Sequence, residues 1–178
     1  MPSKGKPIMD HDGEIAQTDQ YLTFTLAEET YAIEIVKVRE VIDYVQVTRV
    51  PRMPAYLRGV INLRGSVVPV LDLRLILGMP SIEKTIDTCV IIAEVQVDGE
   101  SLHLGMLADS VQEVIDVNPS QIGPPPKLGS MLDTNFIRGM GKRDEGFFII
   151  LNVDQVLSVD DAAHIHSAKA ASSALEAA

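Results

Sequence analysis

The sequence predicts a mainly β protein built from two similar small barrels. Short apolar, β-branched runs alternate with turn residues about every 8–12 positions, as in small barrels. Hydrophobic residues make up 46% of the chain, but aromatic residues only 4%, so Val, Ile and Leu must form the core. Three segments also recur in order. Val38–Asp43 recurs 73 positions later as Val111–Asp116. Tyr56–Val60 recurs 80 positions later as Phe136–Met140, and Val67–Leu73 recurs at the same distance as Phe147–Val153. This internal repeat indicates two units, at about residues 20–80 and 88–158, each with about five strands.

The composition describes a globular chain with an excess of negative charge. A chain of 178 residues can bury roughly 70% of the surface of its unfolded state. Its net charge of −10 argues against nucleic acids and anionic membrane surfaces as partners. With a single cysteine, no apolar run of about 18 residues and no signal-peptide core, we expect a cytoplasmic protein without direct membrane insertion.

The first unit is predicted to open with a hairpin. Residues 1–19 are polar and are expected to form a flexible arm. Tyr21–Leu26 alternates between apolar and polar residues and predicts a strand, with Tyr31–Ile35 as its hairpin partner. Val38–Val47 is rich in β-branched residues, and the prolines at positions 51 and 54 indicate a loop.

A second hairpin follows, and it carries the polar residues of most interest. We predict strands at 59–64 and 66–71 around Gly65, with Pro69 indicating an edge strand or a bulge. Asp72 should cap a short helix, 73–77, that ends before Gly78. Alternation places Val60, Asn62 and Arg64 on one face, which is either a binding face or the solvent side of an ordinary hairpin.

The second unit repeats this organisation. Cys89–Val97 and Ser101–Leu107 predict a hairpin around the Asp98-Gly99 turn. A further hairpin is expected at 136–140 and 147–153. In the Ala- and Ser-rich segment 159–178, Asp160 or Asp161 could cap a terminal helix that reaches about Ala171.

No residue pattern in the sequence points to catalysis, a metal or a cofactor. His164 and His166 permit either a weak surface metal site or an exposed tail. The run Gly139–Lys142 lacks the spacing and the hydroxyl residue of a phosphate loop and is better read as a hairpin turn. Cys89 lies in an apolar run without a basic neighbour and is expected to be unreactive.

The charged residues of the repeat suggest an ion pair. We hypothesise that Glu40 pairs with Arg64 across the first unit and shapes a binding groove there. The second unit has Glu113 as the counterpart of Glu40, but Gly141–Asp144 replaces the Asn-Leu-Arg-Gly element. This asymmetry predicts that the special surface belongs to the first unit.

These residues resemble the signature of the CheW family of chemotaxis coupling proteins. The resemblance is carried by Gly59–Gly65 and Val68–Arg74, and by the opening segments Tyr21–Phe24, Tyr31–Ile33 and Val38–Val41. It extends from about residue 20 to residue 158. It implies two intertwined five-stranded SH3-like β-barrels, with short helices and a C-terminal helix.

The resemblance also implies a function and its partners. Such a protein is a non-catalytic adaptor between the cytoplasmic tip of methyl-accepting chemoreceptors and the regulatory domain of the histidine kinase CheA, within a higher-order signalling array. Since the chain shows no kinase core, the free-standing adaptor is the expected form. The residues implied for receptor binding are Val38, Glu40, Arg64, Val90, Gly105 and Val114, and those for kinase binding are Val41, Val45, Val60 and Asn62.

A second function class stays open. A double-barrel protein could instead bind a small molecule, or act on it, in the groove between the barrels. The absence of paired catalytic groups counts against this alternative. Three features depart from the family pattern, namely the long hairpin at 94–104, the Gly141–Arg143 turn and the Ala-rich tail.

Overall fold

The architecture comes from a computed structural model, which describes residues 8–9, 15–16, 19–97, 99–124, 136–143, 146–156 and 159–177. A two-stranded ribbon of β1 (Ile8–Met9) and β2 (Ile15–Ala16) precedes the two main sheets. The strands of the first unit are β3 (Asp19–Leu26), β4 (Glu29–Glu34), β5 (Val38–Asp43), β6 (Leu57–Leu63) and β7 (Ser66–Asp72). Those of the second are β8 (Cys89–Val97), β9 (Glu100–Ala108), β10 (Ser110–Val117), β11 (Ile122–Gly123), β12 (Ile137–Arg143) and β13 (Gly146–Leu151). The α-helices are α1 (Leu73–Ile76) and α2 (Val159–Ala177), and single 3₁₀ turns lie at Ile35–Lys37, Pro119–Gln121 and Val153–Gln155.

The two main sheets each combine strands from both units. One has the order β10-β3-β4-β13-β12-β11, and the other has the order β5-β8-β9-β7-β6. The first hairpin of each unit is therefore inserted into the sheet of the other unit. Each inserted hairpin pairs with one strand antiparallel and with another parallel. The hairpin β8–β9 is antiparallel to β5 and parallel to β7, and the hairpin β3–β4 is antiparallel to β10 and parallel to β13. The mainly β fold with intertwined units is confirmed, and two sheets of this kind are consistent with paired SH3-like barrels.

The internal repeat seen in the sequence is also visible in single hydrogen bonds. The Asp72 N–H donates to the Tyr56 carbonyl at 2.7 Å, and the Asn152 N–H donates to the Phe136 carbonyl at 2.8 Å. Both pairs are related by the 80-residue offset. Asp72 also caps α1 by accepting from the Arg74 and Leu75 N–H groups, as predicted.

Three apolar clusters hold the sheets together. The most extensive one contains residues of both sheets, for example Phe24 and Ile33 with Ile91 and Met106. A second cluster, including Phe148 and Ile150, belongs to the six-stranded sheet. The third consists of Ile61, Val68, Val70, Val90 and Ile92 from the five-stranded sheet. Each sheet is thus buried on both faces, which requires the near-continuous apolar strands that the sequence shows.

The C-terminal helix is part of this core, so the expectation of an exposed tail around its histidines was wrong. Ile165 and Ala168 of α2 are fully buried and join the cluster shared by both sheets. Val95 and Leu102, at the far end of the long β8–β9 hairpin, belong to the same cluster. The Nε2 atom of His166 lies 3.3 Å from the Oε2 atom of Glu100 in that hairpin. Two of the three departures from the family pattern therefore pack in one apolar cluster.

The central hairpin forms as predicted, but Pro69 occupies a different environment. Strand β7 lies inside the sheet, between β9 and β6, and is not an edge strand. The N–H and the carbonyl of Val60 in β6 both form hydrogen bonds with Thr48. Pro69, which lies opposite Val60 in β7, therefore receives no hydrogen bond from it. On the other side, pairing with β9 begins only at Val70. Proline is tolerated here because its missing N–H falls just before the parallel ladder.

An ion pair joins α1 to the segment between β9 and β10. Arg74 donates to both carboxylate oxygens of Asp109, from Nε at 3.0 Å and from Nη2 at 2.5 Å. Burial alone would raise the pKa of Asp109, but the hydrogen bonds from Arg74 and from the Ala27 N–H, with the Arg74 charge, lower it below its ordinary value of 3.8. The folded state therefore favours the charged carboxylate.

We expect Asp109→Asn to lower the free energy of unfolding by about 1–3 kcal/mol at pH 7. Because the pKa of Asp109 is depressed on folding, its contribution is present above the unfolded value and is lost as the pH falls through the folded value. The gap between wild type and variant should therefore shrink below about pH 4. Urea unfolding from pH 3 to pH 7 measures this, with the exposed Asp116→Asn as control. A gap that stayed constant over this range would contradict the assignment.

Candidate functional site

The turn between β6 and β7 holds its arginine in an unusual backbone conformation. Leu63 and Ser66 close the hairpin, and the two turn residues, Arg64 and Gly65, have φ of +52° and +89°. The Asn62 Oδ1 accepts a hydrogen bond from the Gly65 N–H at 2.8 Å. A non-glycine residue at positive φ costs roughly 1–2 kcal/mol relative to ordinary backbone. Arg64 thus occupies a position where Gly or Asn would fit better, as Ala27 and Glu28 do in the turn between β3 and β4.

The Arg64 side chain forms the predicted pair with Glu40. Its two terminal nitrogens donate to the two carboxylate oxygens of Glu40 at 2.6 and 2.8 Å. The hydrogen bonds from Arg64 lower the pKa of Glu40, and the same bonds raise the pKa of Arg64. The Arg64 side chain is nevertheless 71% exposed. The pair fixes a guanidinium at the surface of the five-stranded sheet, where a partner can reach it.

The ion pair has a counterpart in the second unit, so the pair alone does not set the first unit apart. Arg143, the last residue of β12, forms an ion pair with Glu113 of β10. Glu113 is the repeat counterpart of Glu40, but Arg143 stands one position before the counterpart of Arg64. This one-residue shift concealed the similarity in the sequence. What distinguishes the first unit is the strained arginine and Asn62 beside it, and not the ion pair itself.

Several of the implied site residues lie on the surface. Val41 in β5 is 38% exposed, Val45 is 41% exposed and Val114 in β10 is 46% exposed. Both β5 and β10 are first in the order of their sheets, so Val41 and Val114 lie on edge strands, and Val45 lies just beyond β5. Val36 and Phe147, at 75% and 62%, are exposed apolar residues that the sequence analysis did not single out. Phe147 directly follows the start of β13 at Gly146, a position beside a turn that could have signalled exposure.

Other implied site residues are buried. Val60 and Val90 are 5% and 0% exposed, so the structure corrects the expectation that Val60 lies on a half-exposed face with Asn62. A Cβ built on Gly105 would lie 2.8 Å from Val90 Cγ1 and 3.3 Å from Val70 Cγ2. Val38 is partly buried against the shared cluster. Val60, Val90 and Gly105 can therefore influence a partner only through packing, not by contact in this conformation.

We expect Gly105→Ala and Val90→Ala each to lower the free energy of unfolding by about 1–3 kcal/mol. The first overfills the site and the second leaves a cavity beside it. The double variant should lose less than the sum of the two, by at least roughly 0.5 kcal/mol, because the added methyl group enters the vacated space. Denaturant unfolding of the four proteins gives this coupling. Strict additivity would show that the two positions do not share a packing site.

Comparison with known proteins places this chain in a family. The model of the CheW-like domain matches residues 20–161. The chain belongs to the CheW family. The chemotaxis protein CheW of Klebsiella aerogenes is 34% identical over 144 residues, which cover 81% of this chain and 84% of that protein. The chemotaxis protein CheW of Bacillus subtilis is 33% identical over 145 residues, which cover 81% and 90%.

A solved CheW structure supports the same assignment. The scaffolding protein TtCheW from Thermoanaerobacter tengcongensis superposes with a TM-score of 0.71 at 34% identity, and the match covers 82% of this chain and 91% of that one. The chain is thus a member of the chemotaxis scaffold proteins. The CheW-like match ends at residue 161, whereas α2 continues to Ala177.

The described part of the CheW-like chain contains no grouping of three or more His, Cys, Asp or Glu side chains that could hold a metal ion. Its described helices include none that is long and apolar enough to span a membrane. Burial raises the pKa of the Cys89 thiol, which disfavours the reactive thiolate. A cavity of about 430 Å³ lies at one end of the five-stranded sheet.

Proposed function

We propose that this CheW-family chain is a non-catalytic adaptor that couples the cytoplasmic tips of chemoreceptors to the regulatory domain of the histidine kinase CheA. It acts in the cytoplasm, at the inner face of the membrane, as one element of a larger array. Residues 20–158 form the adaptor domain, residues 1–19 an arm and residues 159–178 a helical tail. The observation that carries the proposal is the CheW-like match over residues 20–161, together with the exposed valines Val41 and Val45 on and just beyond β5.

The kinase side of the adaptor is assigned to the exposed part of the first unit. Val41 and Val45 present apolar side chains on and just beyond the edge strand β5, and Asn62 is exposed at the end of β6. Apolar anchors surrounded by polar residues are the usual energetic centre of a protein interface. An edge strand also suits end-to-end packing against another small barrel, as the family resemblance implies.

The receptor side is assigned to Val38, Glu40, Arg64 and Val114. Arg64 offers unused hydrogen-bond donors in a fixed orientation, because Glu40 holds the guanidinium from one side. Val114 gives an exposed apolar contact on β10. Val90 and Gly105 contribute by setting the packing beneath this surface.

Interfaces of this kind favour reversible assembly. A patch of about 800 Å² per partner with a few apolar anchors is compatible with micromolar binding, about −8 kcal/mol. An array of many such contacts gains its stability from multivalency. The adaptor then transmits a signal by biasing the relative positions of receptor and kinase.

We expect the purified chain to bind the C-terminal barrel domain of the CheA-type kinase from its own cell with a micromolar Kd in calorimetry. Val41→Asp should weaken this binding by roughly 30-fold or more, because the interface would bury an unpaired carboxylate. Val60→Asp is unsuitable as a test, since Val60 is in the core.

Val114→Asp is the matched control for this measurement. Val114 is the repeat counterpart of Val41 and has a similar exposure, 46% against 38%. Because we assign it to the receptor side, its substitution should leave kinase binding unchanged within about twofold. Absence of binding by a folded wild-type chain, or equal weakening by both variants, would contradict the proposed kinase face.

A further inference from the structure

The cavity at the end of the five-stranded sheet has the dimensions of a ligand site. Its volume is about 430 Å³, within the range of roughly 300–1,000 Å³ found for small-molecule pockets. Its walls come from the end of β9, from α1 and from the loop that joins α1 to β8. Tyr44, Ile82 and Leu107 supply an apolar side, and Arg58, Arg74 and Lys84 supply three cations.

Three carboxylates line the cavity, those of Asp72, Glu83 and Asp109, and the two aspartates already have full sets of donors. Asp72 accepts from two N–H groups of α1 through Oδ1, and from Arg58 and Ser81 through Oδ2. Asp109 accepts twice from Arg74 and once from the Ala27 N–H. Each of these two carboxylates is therefore neutralised and its lone pairs are engaged. Neither has much capacity left to attract a cation into the cavity.

The cations, by contrast, have donors to spare. Among the described residues, Arg58 has hydrogen-bond partners only at Nη1, which donates to Asp72 at 3.1 Å and to Ser81 at 2.9 Å. Lys84 has no carboxylate within salt-bridge distance among the described residues, and its Nζ lies 5.3 Å from the centre of the Tyr44 ring. A cation held over an aromatic face is positioned without being neutralised. Glu83, the third carboxylate of the lining, is exposed to solvent, and the donor capacity left in the cavity is that of Arg58 and Lys84.

We propose that this cavity binds a small organic anion, with a phosphate or carboxylate group on a compact apolar body. The anionic group is held by Lys84 and the free N–H groups of Arg58, and the body lies against Tyr44, Ile82 and Leu107. Charge-assisted bonds from guanidinium and ammonium groups are the strongest available to such a ligand. None of the residues assigned to the adaptor surfaces lines the cavity, and the proposal does not depend on the proposed coupling function.

Phenyl phosphate and benzoate are the probes, because each joins one of the two anionic groups to the same ring. Thermal unfolding and calorimetry at constant ionic strength measure binding, so that simple screening of the net charge of −10 is removed. At least one probe should bind with a millimolar or tighter Kd and raise Tm, and the better one identifies the anionic group. Inorganic phosphate or acetate should bind less tightly, because each lacks the apolar body.

Lys84→Gln should weaken the better probe roughly tenfold, and Lys84→Arg should restore most of the binding. Lys142→Gln, which removes an exposed lysine outside the cavity, should leave the Kd unchanged. Lys84 is in an exposed loop, so these variants should fold. Failure of both probes to bind the wild type, or equal binding by wild type and Lys84→Gln, would overturn the proposal.

Discussion

Gly59→Ala is expected to lower the free energy of unfolding by at least about 3 kcal/mol, more than Gly78→Ala or Gly105→Ala. Gly59 has φ of +145°, a conformation that residues with a Cβ rarely adopt. A Cβ placed there would lie 2.0 Å from the Thr48 carbonyl oxygen. Thr48 cannot simply move away, because it exchanges hydrogen bonds of 2.9 and 2.8 Å with Val60.

Gly78→Ala provides the matched control for this effect. Gly78 also has a positive φ, +85°, but no atom lies within 4 Å of a Cβ built on it. Its substitution should therefore cost only the backbone strain, about 1–2 kcal/mol. Urea unfolding of both variants separates strain from steric overlap. Equal losses would show that the contact of β6 with Thr48 is looser than the structure indicates.

Some features of this fold can be predicted from sequence patterns of a few residues, and others cannot. The central hairpin, the Asp72 cap and the Glu40–Arg64 pair follow from local rules, since turn residues, capping residues and repeat spacing act over short distances. The repeat also predicted two similar units. Which strands would be exchanged between them was not determined by any local pattern. That exchange depends on which apolar faces pack together across the whole chain.

The errors have the same origin. Pro69 was expected at an edge strand or at a bulge because proline lacks an N–H, but the register with β6 and β9 makes that N–H unnecessary. Alternation correctly placed Val60 opposite Ile61, yet it could not show that the five-stranded sheet is covered on both faces. The pairing of Arg143 with Glu113 was missed because it lies one position out of register with Arg64. Tertiary packing, which no single segment encodes, decided each case.

Arg64→Ala is expected to reduce receptor-controlled kinase activity by at least about tenfold while the chain stays folded. The reason is that its 71% exposed guanidinium is fixed by Glu40 at the surface, where a partner can reach it. Because the Arg64 side chain is mostly exposed, its removal should change Tm little. Reconstituted receptor, kinase and adaptor, assayed with and without attractant, measure the effect.

Arg143→Ala removes the repeat-related pair with Glu113 and is the matched control. If the first unit carries the receptor surface, this variant should retain most of the receptor control. The exchanged variant Glu40→Arg/Arg64→Glu adds a second comparison, because it can restore the ion pair but moves the positive charge to β5. We expect it to remain inactive, since a partner that reads the guanidinium at the turn would then meet a carboxylate. Full activity of the exchanged variant would show that only the ion pair matters, and full activity of Arg64→Ala would remove Arg64 from the receptor side.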